Sequence, residues 1–409
     1  MTIFPFDLIS DIGKLPAYLI YGVIGFFFGY VLEISGFGNS KKLAAQFYFK
    51  DLTVLKVMFT AIVVAMVLIF AASGLGLLDY NLVWVNPTYL WPGIVGGLIM
   101  GVGFIVGGFC PGTSLVAMVT RKIDGLFFVL GGLFGIFVFG EVVDYFSIFW
   151  HSSYYERLTL MDVFKLPTGV VVVLVVLMAL FMFWGGEQLE RIFGKKDLKK
   201  EPRRRYAAAV ALVVCALAVL VIGQPTTADR YTWIAEDKEP LLAERAIQIH
   251  PGELLTAMND PSLHMVILDV RSEADYNLFH LVDARRVAPD MLPRLVAEFR
   301  LAPPNTVVVV MSNDEAAATD MWRDLVAESV ANVYILEGGI NEWIATFAHD
   351  DARIVAIADQ GVDKLDYRFN AALGGDFPAS DPNPHEFELE YTPKIKLDIP
   401  RGPKSGGCG

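Results

Sequence analysis

Six uncharged apolar stretches constrain this chain more than any other feature: residues 15–32, 57–78, 90–109, 125–140, 168–184 and 207–223. Each approaches the ~20 residues a helix needs to cross hydrocarbon. No water is present inside a bilayer to bond free amides, so such segments cross as helices. Six transmembrane helices are predicted, and the lipid bilayer is the first partner. The composition agrees: 54% of residues are hydrophobic and 19% charged, with a mean hydropathy of +0.48, a balance that an ordinary soluble core could not conceal.

Charge is divided unevenly. Net charge is −12, yet about 14 acids and about 17 bases precede residue 225, against about 31 acids and about 16 bases after it. The acid excess marks a soluble part and argues against nucleic acid as a partner. Bases cluster at Lys41, Lys42, Lys50 and Lys56, at Arg121 and Lys122, and over residues 191–205. The positive-inside rule puts these clusters in the cytoplasm and everything after Gly223 outside, together with the N-terminus. Asp7 and Asp11 stand where a secretory signal would carry bases, so no cleaved signal is read. The expected place is a bacterial-type cytoplasmic (inner) membrane, multi-pass, with a periplasmic C-terminal domain.

An internal repeat is visible. Gly25, Gly29, Gly36 and Phe37 recur as Gly97, Gly101, Gly108 and Phe109, each 72 residues on. Each copy reads as an apolar span, a Gly-rich break, a short segment and a further span. The expected fold is an α-helical polytopic membrane domain over 1–223, with repeats near 20–75 and 90–145, then a linker over 224–245, an α/β domain with a parallel sheet over 246–350 and an extended tail over 351–409. Irregular backbone at membrane depth is tolerated where it lines a cavity or packs on protein, so the breaks are candidates for a transport pathway. The rival reading is that these glycines only let helices pack closely.

The second break, GGFCPGTSLVAMVTRKID, places Pro111 in the first turn of a helix behind Cys110, with Gly112, Thr113 and Ser114 beside it. Such a helix beginning attracts anions, and a thiol there adds a soft, polarizable group suited to sulfur. The first break repeats the design with Gly36, Gly38, Asn39 and Ser40 but without cysteine; Glu33 and Lys56 border the breaks, placed to line a path or to pair with each other. Cys215, alone in an apolar helix, reads as an inert small hydrophobe. The stretches GYVLEISGFGNSKKLAAQFYFKDLTVLKVMFTAIV and GGLIMGVGFIVGGFCPGTSLVAMVTRKIDGLFFVLGGLFGIFVFGE resemble the YeeE/YedE sulfur-transport family over most of residues 20–145. That resemblance implies passage of thiosulfate or a related small sulfur-containing anion, with Cys110 inheriting the pathway role. One pathway cysteine stands here in place of several, so a homodimer or partner subunit would complete the pore.

Farther on, ILDVRSEADYNLFHLVDARRV, TVVVVMSNDEAAATDMW and NVYILEGGINEW resemble the rhodanese-like domain over roughly 246–348. By that resemblance Ser312 occupies the catalytic cysteine position and Ala317 the arginine position, while Asp269 and Arg271 form a structural pair and His280 belongs to the fold. A hydroxyl cannot form or pass on a persulfide, and Asp314 and Glu315 in the same loop would repel an anion. Serine catalysis by Ser312 with His280 lacks a third member. Cys408, in the terminal PKSGGCG, is the one thiol of the soluble part and a candidate sulfur carrier. The histidines show no ligand spacing, so no metal is read, and no cofactor is implied. The leading expectation is transport of a sulfur anion with an inactive rhodanese-like domain as a docking module. The alternatives are a membrane scaffold or adaptor subunit of a larger complex, and a membrane-anchored sulfur carrier using Cys408.

Overall fold

Long apolar runs make helices of most of the N-terminal stretches. In the computed structural model these are Lys14–Ile34 (α1), the short Ser40–Ala44 (α2), Thr53–Gly74 (α3), Leu90–Gly107 (α4), Pro111–Val119 (α5), Ile123–Val142 (α6), Thr168–Ile192 (α7) and Arg204–Ile222 (α8). The structure describes residues 4–6, 8–83, 85–155, 157–195, 204–348, 354–357, 361–369, 380–387 and 389–397. Among these, six segments are long and apolar enough to cross a membrane, with α4 and α5 together forming Leu90–Val119. Between residues 224 and 225 the chain divides into two units.

In the first unit, α3, α7 and α8 share a core of Val63, Val67, Phe70, Val172, Val176, Ala179, Ala216 and Val219. Gly169 lets α7 lie against α8: a Cβ there would sit 2.7 Å from the Leu220 Cα. Helices α1, α4 and α6 instead leave most of their apolar side chains outward, Phe26, Val106 and Phe134 among them, an arrangement that hydrocarbon accommodates.

The repeat is structural as well as sequential. Gly36 (φ 76°) and Gly108 (φ 71°) are both left-handed and each ends a long helix; thirteen residues later Phe49 (φ 54°) and Arg121 (φ 63°) turn left-handed again before the next span. The phenylalanines after the two glycines, Phe37 and Phe109, are both buried and join Leu43, Val54 and Ala117 in one cluster. The two breaks therefore pack on each other.

The second unit begins with Thr227–Ala243 (α9), capped by a reciprocal Thr226–Asp229 box. Residues 224–245, read above as a linker, are mostly this helix. Tyr231, Leu241 and Leu242 pack against the domain core, and Arg230 pairs with Glu328, so tertiary contact adds to the capping signal. Then follow Gln248–Ile249 (β1), Pro251–Met258 (α10), His264–Asp269 (β2), Glu273–Leu278 (α11), Ala284–Arg286 (β3), Leu292–Phe299 (α12), Thr306–Met311 (β4), Ala316–Ala327 (α13), Val333–Leu336 (β5) and Gly339–Phe347 (α14). The sheet is parallel, in the order β1-β5-β4-β2-β3. Its central strand, TVVVVM, is buried at all six positions, which explains its unbroken β-branched run. Ile354–Ala356 (β6) and Tyr367–Phe369 (β7) make an antiparallel hairpin. Beyond it, Ser380 bonds His280 and Val282 through main-chain groups, and the Lys394 and Ile395 amides donate to Glu253 Oε1.

Candidate functional site

At the second break the chain leaves α4 through left-handed Gly108 and enters α5 at Cys110, the N-cap residue. The Cys110 amide donates to Thr113 Oγ1 at 3.0 Å, the Thr113 amide donates to Cys110 Sγ at 3.5 Å, and Sγ lies 3.2 Å from Oγ1. A cysteine here does the work that serine or aspartate usually does in a capping box. Thr113 and Ser114 are buried, and the Ser114 hydroxyl donates to the Pro111 carbonyl at 2.7 Å. Both hydroxyls are thus spent on the turn itself. Cys110 is partly exposed, and the space over Gly112 is open, with nothing within 4 Å of where a Cβ would stand.

The first break presses against the second. A Cβ on Gly108 would lie 2.9 Å from Ser40 Cβ, so the left-handed glycine also permits this approach. Asn39 caps α2 by accepting from the Lys41 amide at 3.0 Å, Ser40 Oγ donates to Asp124 Oδ2 at 3.4 Å, and Lys42 Nζ donates to the Ser35 carbonyl at 2.7 Å.

Glu33 and Lys56 do not pair with each other. Glu33 meets Lys122 at 3.2 Å across the two repeats, and the pair sits over Gly38, where a Cβ would lie 2.6 Å from the carboxylate and 2.7 Å from the ammonium. Lys56 meets the fully buried Glu190 of α7 at 2.6 Å, and Glu190 also accepts from the Leu52 amide at 2.6 Å, capping α3. The physical reason is geometric: the second break brings Lys122 to Glu33, and α7 brings Glu190 to Lys56, so each opposite charge comes from another segment. Lys122, Asp124 and Glu190 were missed by sequence reasoning. For Lys122 a signal existed, since it repeats Lys50 at the same 72-residue spacing.

These observations pair two helix breaks, one bearing a capped thiol, inside a bundle of apolar spans. The family model for sulphur transport matches residues 35–242, just over half of the chain, and the model for the rhodanese-like domain matches residues 250–346. The chain belongs to the sulphur-transport family. No curated protein and no solved structure matches it. The six spans of this sulphur-transport protein make it a multi-pass membrane protein carrying sulfur across a membrane, and its second unit is a rhodanese-like domain.

In that domain Ser312 follows central strand β4 at the end where ligands bind in parallel sheets. It is fully buried, and its hydroxyl accepts from the Ala318 amide at 3.2 Å. Ala317 lies in the first turn of α13. His280 turns elsewhere: its ring stacks on Tyr276 at 4.2 Å and Nδ1 lies 2.9 Å from the Tyr276 carbonyl. Asp269 and Arg271, both fully buried side chains, meet at 2.6 Å, and Arg271 also donates to the Phe279 carbonyl at 2.6 Å.

Asp314 and Glu315, expected above to repel an anion, are both engaged. Glu315 accepts from Arg245 at 2.6 Å and from the Gly338 amide at 2.7 Å. Asp314 accepts from the Ala316 amide at 2.6 Å and the Asp363 amide at 2.7 Å. Burial pushes the Asp314 carboxyl up, but the amides of Ala316, Asp363 and Glu315 outweigh it and hold the group below its ordinary value. Among the described residues no group of His, Cys, Asp and Glu is placed to hold a metal. Cys215 is exposed on α8, and Cys408 lies outside the described residues.

Proposed function

We propose that the paired breaks conduct thiosulfate or a related small sulfur anion, with Cys110 as the contact for the sulfur atom. The supporting observation is the packing of two repeat-related breaks against each other, with Cys110 at the N-terminus of α5 and open space over Gly112. The macrodipole at the N-terminus of α5 favours an anion, while the thiol supplies a polarizable neighbour for sulfur. The Gly36–Ser40 break forms the opposing wall, and Glu33–Lys122 and Lys56–Glu190 brace its ends. The outward apolar faces of α1, α4 and α6 leave room for a second copy or a partner subunit to complete the passage.

The basic clusters near the breaks and over 191–205 support a cytoplasmic-membrane location with the rhodanese-like domain outside. That domain is catalytically inactive: Ser312, at the position the resemblance gives to cysteine, has no thiolate to accept sulfane sulfur, and its hydroxyl is tied into the loop. It serves as a binding module. Uptake of labelled thiosulfate into liposomes tests the transport reading. Native protein is expected to carry the anion and C110A to lose most of that flux; equal uptake by the two would overturn the role of the thiol.

A further inference from the structure

The loop after β4 has a resident ligand. Asp363, in the turn between β6 and β7, places Oδ1 3.0 Å from the Asn313 amide and 3.2 Å from the Asp314 amide, both of which donate to it. Asp363 in turn donates its own amide to Asp314 Oδ2 at 2.7 Å, so the two aspartates clasp each other reciprocally. The side chain of Asn313, only 3% exposed, donates from Nδ2 to the Asp363 carbonyl at 3.1 Å and accepts from Arg271 at 3.4 Å. A second anchor comes from Asn341, which donates to the Lys364 carbonyl at 2.8 Å and accepts from the Asp366 amide at 2.8 Å. Leu365 adds an apolar contact with the domain core, whereas Val362 stays 79% exposed.

We infer that the former catalytic mouth of the rhodanese-like domain is a receptor for an acidic peptide, reading an aspartate carboxylate and a leucine two residues on, and that residues 361–366 are its built-in occupant. Every group it recognises is carried by a six-residue peptide: one carboxylate, a few main-chain donors and acceptors, and one leucine. The receptor half is preorganised, since the buried Asn313 is held by Arg271, itself fixed by Asp269, and the Ser312 carbonyl accepts from the Ile340 amide. The occupant buries little apolar surface, so its release is a local opening rather than unfolding. A partner protein presenting the same acidic turn would take its place and dock on the domain. This deepens the reading of the domain as a binding module and is independent of thiosulfate uptake, so failure of either leaves the other standing.

The test uses the full chain in detergent and two fluorescent peptides, one with the sequence of residues 361–366 and one with asparagine at the position of Asp363. D363A removes the resident carboxylate and so weakens the occupant's hold, and is expected to bind the aspartate peptide about tenfold or more tightly than native protein does, with the asparagine peptide losing that gain. D363N, which keeps the side-chain volume, repeats the measurement. Failure of the folded variants to bind, or equal binding of both peptides, would overturn the inference. So would loss of the protease-resistant soluble unit in both variants, because a loop required for folding is not an exchangeable ligand.

Discussion

Cys110 and Ser312 stand at corresponding points of two unrelated architectures. Each follows an apolar segment, each precedes a helix, and each uses its side chain to accept an amide from the turn it begins. Around Cys110 the space over Gly112 is open and no carboxylate caps α5. Around Ser312 the neighbouring amides already hold carboxylates of the same chain, those of Asp314 and Asp363. One helix beginning is capped by its own thiol and carbonyl with open space over Gly112, and the other is filled by carboxylates. Amide-rich geometry is therefore not enough to identify an anion site; what occupies the amides decides.

The comparison breaks most readily at Cys110. C110S keeps an oxygen able to cap α5 but removes the sulfur, so thiosulfate uptake by liposomes is expected to fall about tenfold or more while the fold holds. Full uptake by C110S would reduce the thiol to a cap and make the two helix beginnings functionally alike. The rhodanese-like side responds in stability instead. Arg271 is fully buried against Asp269, and R271A leaves a buried carboxylate unpaired, at an expected cost of about 3–5 kcal/mol, read by pulse proteolysis of the soluble unit in urea.

Glycine substitutions sharpen the contrast within the membrane unit. G108A meets both a left-handed backbone and the Ser40 side chain, and should destabilise by about 1–2 kcal/mol. G112A faces open space and should leave stability unchanged; loss of uptake in G112A with an unchanged melting temperature would place the pathway over that residue. Acid probes the filled site. Because the folded Asp314 carboxyl is held below its ordinary value of 3.8, its contribution is complete above that pH and disappears as pH falls beneath it. Hydrogen exchange of the Ala316 and Asp363 amides, which donate to this carboxyl, corrected for intrinsic rates, should stay flat above 3.8 and accelerate as pH falls below it. The smallest effect is expected at Asp324, whose carboxyl is pushed up by burial and then by Asp320 and Glu328. Folding penalises its charged form relative to the unfolded chain, so D324N should raise the Tm by about 1–2 °C.

The elements themselves were legible because their signals are local and repeated. Uncharged runs of helical length mark the spans, and the 72-residue echo of Gly25, Gly29, Gly36 and Phe37 marks the breaks. The β-branched run of β4 announced a strand buried on both faces. Ion pairing was not legible in the same way. Glu33 and Lys56 are closer in sequence to each other than to Lys122 and Glu190, their partners in the structure. The loop acids failed for a related reason: their charge is plain in the sequence, but Arg245 and the turn of Asp363 reach them from 70 and 49 residues away.

Sequence by itself determined which segments enter a membrane, where they are interrupted, and that a serine stands in the loop after β4, since hydrophobic length, left-handed glycines and side-chain chemistry act over a few residues. Only the tertiary structure decided that the two breaks abut, that the charges at their ends pair across segments, and that an aspartate of the tail fills the amides beside Ser312. Those outcomes depend on which distant groups arrive at one point, and hydrogen bonds and ion pairs of this range carry no periodic trace along the chain.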